Sequence, residues 1–226
     1  MNPPTNEAMT ATSVVTKLRE LRLVPVIVID DPASAHSLGR ALSSGGLPCA
    51  EVTLRAAGAR DALARLTAEC PDVLAGAGTV LTPAQAKDAR DAGAKFVVAP
   101  GFNPGVVDYC LENDIPVFPG IATPTEIEAA LSRGLSVLKF FPAEPLGGLA
   151  YLKAISAPYG GVSFMPTGGI NVQNVGAYLS FPRVVACGGS WMAPEEWIVA
   201  GDFSKITAEV AKAVAAVQPT NGATGQ

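Results

Sequence analysis

Short runs of Val, Ile, Leu and Phe alternate along the chain with longer Ala-rich stretches in which apolar residues recur every three or four positions. The runs are Val24 to Ile29, Ala50 to Leu54, Val73 to Gly76, Phe96 to Ala99, Pro116 to Phe118, Val137 to Phe141, Val162 to Pro166 and Val184 to Cys187. Runs that are apolar at nearly every position predict strands buried on both faces, and the stretches between them predict the helices that cover a parallel sheet. Helices are expected to begin near Pro32, Gly58, Pro83, Pro104, Pro124, Gly148, Val172 and Pro194. Proline recurs at these starts because its missing N–H falls where a helix has no acceptor for one. A further amphipathic stretch, Ser13 to Leu23, precedes the first strand. Eight strand-helix units at a spacing of roughly 20 to 27 residues predict an α/β fold, a (β/α)8 TIM barrel with an additional N-terminal helix. An open doubly wound sheet would carry a G-x-G-x-x-G turn after its first strand, where this chain has Ile29-Asp30-Asp31-Pro32.

With 226 residues, 49% of them hydrophobic, the chain can bury one sizeable core, and no change of composition divides it. The expectation is a single domain over residues 13–217, flanked by disordered ends at 1–12 and 218–226. A net charge of −4 without any Lys/Arg run argues against a nucleic-acid partner, and no apolar stretch approaches a membrane span. The polar residues from Met1 to Ser13 lack the apolar core of a signal peptide. Cys49, Cys70, Cys110 and Cys187 are scattered without a C-x-x-C pair, as expected of reduced, buried thiols in a cytoplasmic protein. The one histidine, His36, excludes any mechanism needing two imidazoles and is expected on a helix surface, and no metal site is expected.

A barrel places its functional groups at the C-terminal ends of its strands, which directs attention to polar residues there. Lys139 lies in Val137-Leu138-Lys139-Phe140-Phe141 and shares a face with Val137 and Phe141. It is either a strand-end lysine reaching out to water or an amine whose charged form burial disfavours, leaving a nucleophile able to form a Schiff base with a ketone. In Cys49-Ala50-Glu51-Val52-Thr53-Leu54-Arg55 the even positions are apolar and suit the helix-facing side, so Glu51, Thr53 and Arg55 point together into the mouth. A buried carboxylate and amine can be a structural ion pair, but Arg55 just above them offers a fork for a substrate carboxylate. Thr167-Gly168-Gly169-Ile170 and Gly188-Gly189-Ser190 follow the last two strands. Glycine loops at those two ends form the usual phosphate site of the fold, although a glycine pair by itself can be only a tight turn. Thr79, in Gly76-Ala77-Gly78-Thr79, either bonds a carboxylate or caps the helix entered near Pro83, and Ala99-Pro100-Gly101 is less informative. Trp191, Met192 and Trp197 read as packing residues.

Taken jointly, these segments resemble the bacterial 2-keto-3-deoxy-6-phosphogluconate aldolases, class I enzymes that also cleave 4-hydroxy-2-oxoglutarate. The resemblance runs from about Val24 to about Ile206 and rests on Val24-Pro25-Val26-Ile27-Val28, Glu51-Val52-Thr53-Leu54-Arg55, Gly76-Ala77-Gly78-Thr79-Val80-Leu81, Lys139-Phe140-Phe141-Pro142-Ala143-Glu144, Pro166-Thr167-Gly168-Gly169-Ile170 and Gly188-Gly189-Ser190-Trp191. It implies that Lys139 is the Schiff-base residue and Glu51 the general acid/base, and that Arg55 and Thr79 hold the substrate carboxylate. It further implies that Pro100, Phe141 and Thr167 line the pocket and that Gly168, Gly169, Gly189 and Ser190 bind phosphate. The substrate is then a phosphorylated 2-keto-3-deoxy sugar acid, the assembly a homotrimer, and no metal or other cofactor is required. Asp30-Asp31-Pro32, where relatives often carry basic residues, and Gly101-Phe102-Asn103-Pro104 depart from the family pattern near the mouth and bear on substrate preference alone. The competing readings are a sister aldolase for the galactonate epimer, a phosphosugar isomerase or epimerase using carboxylate or cysteine bases, and a non-catalytic phosphosugar-binding barrel.

Overall fold

Whether the apolar runs close into a ring depends on how their edges pair. The computed structural model describes residues 10–218. The parts of the expected tails at 1–9 and 219–226 lie outside the described residues, but Thr10 to Thr12 do not form a tail. Thr10 Oγ1 accepts from Ser13 N at 3.2 Å and caps helix α1, Ala11–Leu21, which therefore starts and stops two residues before the expected stretch. The helix ends at Arg22, whose φ of 65° turns the chain toward the first strand.

The strands are β1 (Leu23–Ile27), β2 (Cys49–Thr53), β3 (Leu74–Gly78), β4 (Val97–Val98), β5 (Val117–Phe118), β6 (Gly120–Ile121), β7 (Val137–Phe140), β8 (Ser163–Pro166) and β9 (Cys187–Gly189). All pairings are parallel, in the orders β5-β4-β3-β2-β1-β9 and β6-β7-β8. Two joins close the ring. β5 falls within the expected run Pro116 to Phe118, and β6 extends it beyond Pro119, which has no N–H to give but whose carbonyl accepts from Lys139 N at 2.9 Å. Parallel bridges Phe164–Val184 and Thr167–Gly188 then tie β8 to the β9 segment, giving eight strand positions around one barrel.

Around it lie a one-turn 3-10 segment at Pro32–Ser34 and helices α2 (Ala35–Ser44), α3 (Ala59–Glu69), α4 (Pro83–Asp91), α5 (Pro104–Glu112), α6 (Pro124–Leu131), α7 (Gly148–Ser156), α8 (Val175–Leu179), α9 (Glu195–Val199) and α10 (Phe203–Val217). Proline begins α4, α5 and α6, each capped by the preceding Thr82, Asn103 or Thr123 side chain. The helix expected at Val172 is delayed to Val175 because Asn171 and Asn174 bond each other's backbone and hold a turn. The helix expected at Pro194 is short. Gly201, at φ 72°, breaks it from α10, a separate helix that packs on α2 and donates from Thr207 Oγ1 to Ala41 O. No helix among the described residues is long and apolar enough to cross a membrane.

Alternation divides each strand between two cores. Leu138 and Phe140, like Ala50 and Val52, join the shell under the helices, whereas Cys49, Leu74, Phe96, Phe118 and Met165 fill the barrel. Val14 and Leu18 of α1 belong to the inner group, so α1 stoppers the N-terminal end. Leu18 is fully buried there, and Leu18→Ala should lower the free energy of unfolding by about 2 to 5 kcal/mol in urea titrations, through lost transfer energy plus a cavity. An unchanged midpoint would mean that α1 is not seated in the barrel.

Candidate active site

β2 and β7 stand four positions apart in the ring of eight, diametrically opposite, so inward side chains from them meet across the barrel. Glu51 and Lys139 do so: Nζ lies 3.2 Å from Oε1, with the lysine 4% and the glutamate 1% exposed. Lys139 is the one buried lysine among the described residues. The snorkelling alternative is thereby excluded, since the amine turns inward and is not solvated.

Neighbouring strands make room for the pair. A Cβ on Gly78 would come within 2.3 Å of Glu51 Oε1, so β3 must be bare where the carboxylate lies. One pleat below, a Cβ on Gly76 would strike the Phe96 ring at 2.3 Å, and that ring forms the floor beneath the charged layer. Gly78 was not singled out in the sequence, yet the signal is there as glycine repeated at an inward-facing period of two. Phe141 is half-buried, its ring centroid 5.0 Å from Lys139 Nζ. Gly120, the register partner of Lys139, has no room for a Cβ because the Pro100 carbonyl would be 2.1 Å away, which brings Pro100 to the same wall.

Above this layer, Arg55 is exposed in the turn after β2 and has no ionic partner among the described residues. That turn is held at one end by Leu54 N donating to Gly78 O at 2.9 Å and at the other by Gly58 N donating to Asp30 Oδ1 at 2.7 Å. Thr53 keeps the parity of Glu51 in β2 and is buried. Its hydroxyl donates to Ile27 O at 2.9 Å and closes the seam between β1 and β2. Thr79 does not cap α4, because Thr82 does, and it keeps a φ of 56° that a β-branched residue tolerates poorly. A side chain held in that strained conformation at a strand end remains available to a ligand.

The two glycine loops are adjacent, since a Cβ on Gly188 would meet Thr167 Oγ1 at 2.4 Å. Gly168 and Gly169 have φ of 99° and 81°, which only glycine adopts freely, and Ser190 is exposed. The space beside Gly189 is taken by the Trp191 ring, only 1.7 Å from where a Cβ would be.

Other candidate chemistry is absent from this layer. His36 contacts Glu69 and Cys70 on the outer helices. All four thiols are free and buried, and burial pushes Cys110 and Cys187 up to about 12 and raises Cys49 and Cys70, so none is a base at neutral pH. No trio of His, Cys, Asp or Glu among the described residues is arranged to hold a metal ion. A cavity of about 650 Å3 opens at the opposite, N-terminal end, lined by Val15, Leu111, Ile115, Phe118, Leu135 and Val137. Its lining carries hydroxyls and the Asp114 carboxylate but no amine, whereas the buried amine and carboxylate meet inside the barrel.

The model of the family described as "Aldolase: KDPG and KHG aldolase" matches residues 14–209. A 2-dehydro-3-deoxy-phosphogluconate aldolase of Treponema pallidum is 53% identical over 196 residues, covering 87% of this chain and 93% of its own. The KHG/KDPG aldolase of Escherichia coli is 41% identical over 192 residues, 85% and 90% of the two chains. Among solved structures, the KDPG aldolase of Legionella pneumophila, with pyruvate captured as a covalent carbinolamine, superposes with a TM-score of 0.86 at 40% identity, covering 91% of this chain and 98% of its own.

The thiols provide a pH test. Iodoacetamide at about pH 8 should leave the native protein unlabelled while labelling all four cysteines in urea, as read by intact mass, because a neutral thiol is not the nucleophile. The ordinary thiol value is 9.0, so above it the unfolded chain loses protons that Cys110 and Cys187 retain up to about 12, and stability should fall as pH rises through that window. Rapid labelling of native protein would contradict both expectations.

Proposed function

The chain belongs to the KDPG and KHG aldolase family, and from that premise we propose that Lys139 is the amine that carries its chemistry and Glu51 the group that moves its protons. The reaction is class I, Schiff-base cleavage of 2-keto-3-deoxy-6-phosphogluconate to pyruvate and D-glyceraldehyde 3-phosphate, with 4-hydroxy-2-oxoglutarate split by the same route to pyruvate and glyoxylate. The observation that carries the residue assignment is the amine and carboxylate 3.2 Å apart inside the barrel.

Neutral Lys139 attacks the C2 carbonyl carbon to give a carbinolamine. Loss of its hydroxyl as water, with a proton from Glu51, leaves a protonated imine. Glu51, now a carboxylate, takes the C4 hydroxyl proton directly or through a water, the C3–C4 bond breaks, and its electrons move into the imine to form an enamine. The aldehyde leaves, C3 of the enamine is protonated, and hydrolysis returns pyruvate and the free amine. Arg55 and Thr79 hold the C1 carboxylate, the former as a bidentate fork with no carboxylate among the described residues competing for it. Pro100, Phe141 and Thr167 line the chain of the substrate, and Gly168, Gly169, Gly189 and Ser190 receive its phosphate through close backbone approach. A cytoplasmic homotrimer of single-domain barrels is the assembly that the family resemblance supports.

Two measurements test the assignment. Borohydride with pyruvate should leave a reduced pyruvyl adduct on the peptide carrying Lys139 and none in Lys139→Arg, which keeps a cation opposite Glu51 but has no amine nucleophile. An adduct on Lys95 or Lys153 would move the chemistry elsewhere. Glu51→Gln should cut kcat by about 10² to 10⁴ while pyruvate trapping persists. Were Glu51 only an ionic partner, removing its charge would favour the neutral amine and leave turnover near neutral pH intact or faster.

A further inference from the structure

Tyr178 occupies a position in α8 where phenylalanine would fill the same space. It is 2% exposed within the outer core, and a buried hydroxyl is costly unless it finds an acceptor. The acceptor is Glu144 Oε1, from the turn that follows β7, five residues beyond Lys139. Burial first, and then the hydrogen bond to that carboxylate, raise the phenol well above its ordinary value and keep it a donor.

Glu144 is tied to the glycine loop after β8 by its backbone as well. Its N–H donates to Gly168 O at 3.0 Å, and the preceding Ala143 N–H donates to Thr167 O at 2.8 Å. Its side chain lies where Gly169 has none, since a Cβ there would meet Glu144 Cβ at 2.6 Å. Successive glycines at positive φ have little intrinsic preference for one conformation, so the surroundings must hold them.

We propose that Glu144 and Tyr178 are positioning residues for the phosphate end of the substrate: the bond from α8 to the β7 turn presses that turn against Gly168 and Gly169 and holds their peptide groups in place, without either side chain touching the ligand. This rests on the reading of the β8 and β9 loops as the phosphate site. An element of general stability would affect all substrates alike, whereas a positioning strut affects only those with a phosphate.

Tyr178→Phe preserves the volume and removes the bond. The expected result is a KM for 2-keto-3-deoxy-6-phosphogluconate raised about tenfold with kcat retained, a KM for unphosphorylated 4-hydroxy-2-oxoglutarate unmoved, and inhibition by inorganic phosphate weakened by the same factor. Glu144→Ala should behave likewise, and Glu144→Gln, which keeps an acceptor oxygen, should recover the parent ratio of kcat/KM between the two substrates. Ser190→Asp, which sets a like charge in the loop itself, serves as the separate arm. If it shifts that ratio against the phosphorylated substrate but Tyr178→Phe shifts both substrates equally or neither, the strut is disproved while the phosphate site stands. If Ser190→Asp leaves the ratio unchanged, the phosphate site and the strut fall together.

Discussion

One ion pair, Glu51 with Lys139, bridges the full width of the barrel where water does not reach. It is a poor choice for stability alone. Removing two charges from water costs several kcal/mol each, and a well-fitted apolar pair in the same place is commonly as stable or more so. Deleting one partner is worse still, at about 3 to 5 kcal/mol, because the other is then left buried and uncompensated. The two positions are therefore bound to each other, and the fold must supply strands that face one another at the correct height.

β3 meets that demand by omission. Gly76 leaves space for the Phe96 ring and Gly78 leaves space for the Glu51 carboxylate, so above Leu74 the strand accepts a neighbour at each of two levels. The apolar floor and the charged layer are thus stacked directly, with the floor excluding water from below. The Phe96 and Phe118 rings, 5.9 Å apart between centroids, extend that floor across the interior. The places of the carboxylate and of the apolar floor are set by the same two glycines.

Much of this arrangement was legible from alternation. The parity of Cys49-Ala50-Glu51-Val52 and of Val137-Leu138-Lys139-Phe140 determines which side chains face inward, and the barrel observed has that parity. Alternation specifies a face but not a partner, so it does not foretell that the Thr53 hydroxyl bonds Ile27 O. Thr79 and Thr82 both lie just before Pro83, and only hydrogen-bond geometry shows that Thr82 is the cap. The break at Pro119, the separation of α10 from α9, and the Trp191 ring filling the space beside Gly189 depend on contacts that periodicity does not encode. Glu144 and Tyr178, 34 positions apart, are the plainest case, since each looks unexceptional until the other is seen beside it.

The stopper formed by Val14 and Leu18 makes the barrel a vessel with a single opening. Traffic through such a vessel obeys the order of a stack: what enters deepest leaves last. On the proposed Lys139 chemistry, the keto-acid half stays tethered inside the barrel while the untethered aldehyde half is free to leave through the mouth. The order of release then follows from which half is tethered and which end of the barrel is stoppered.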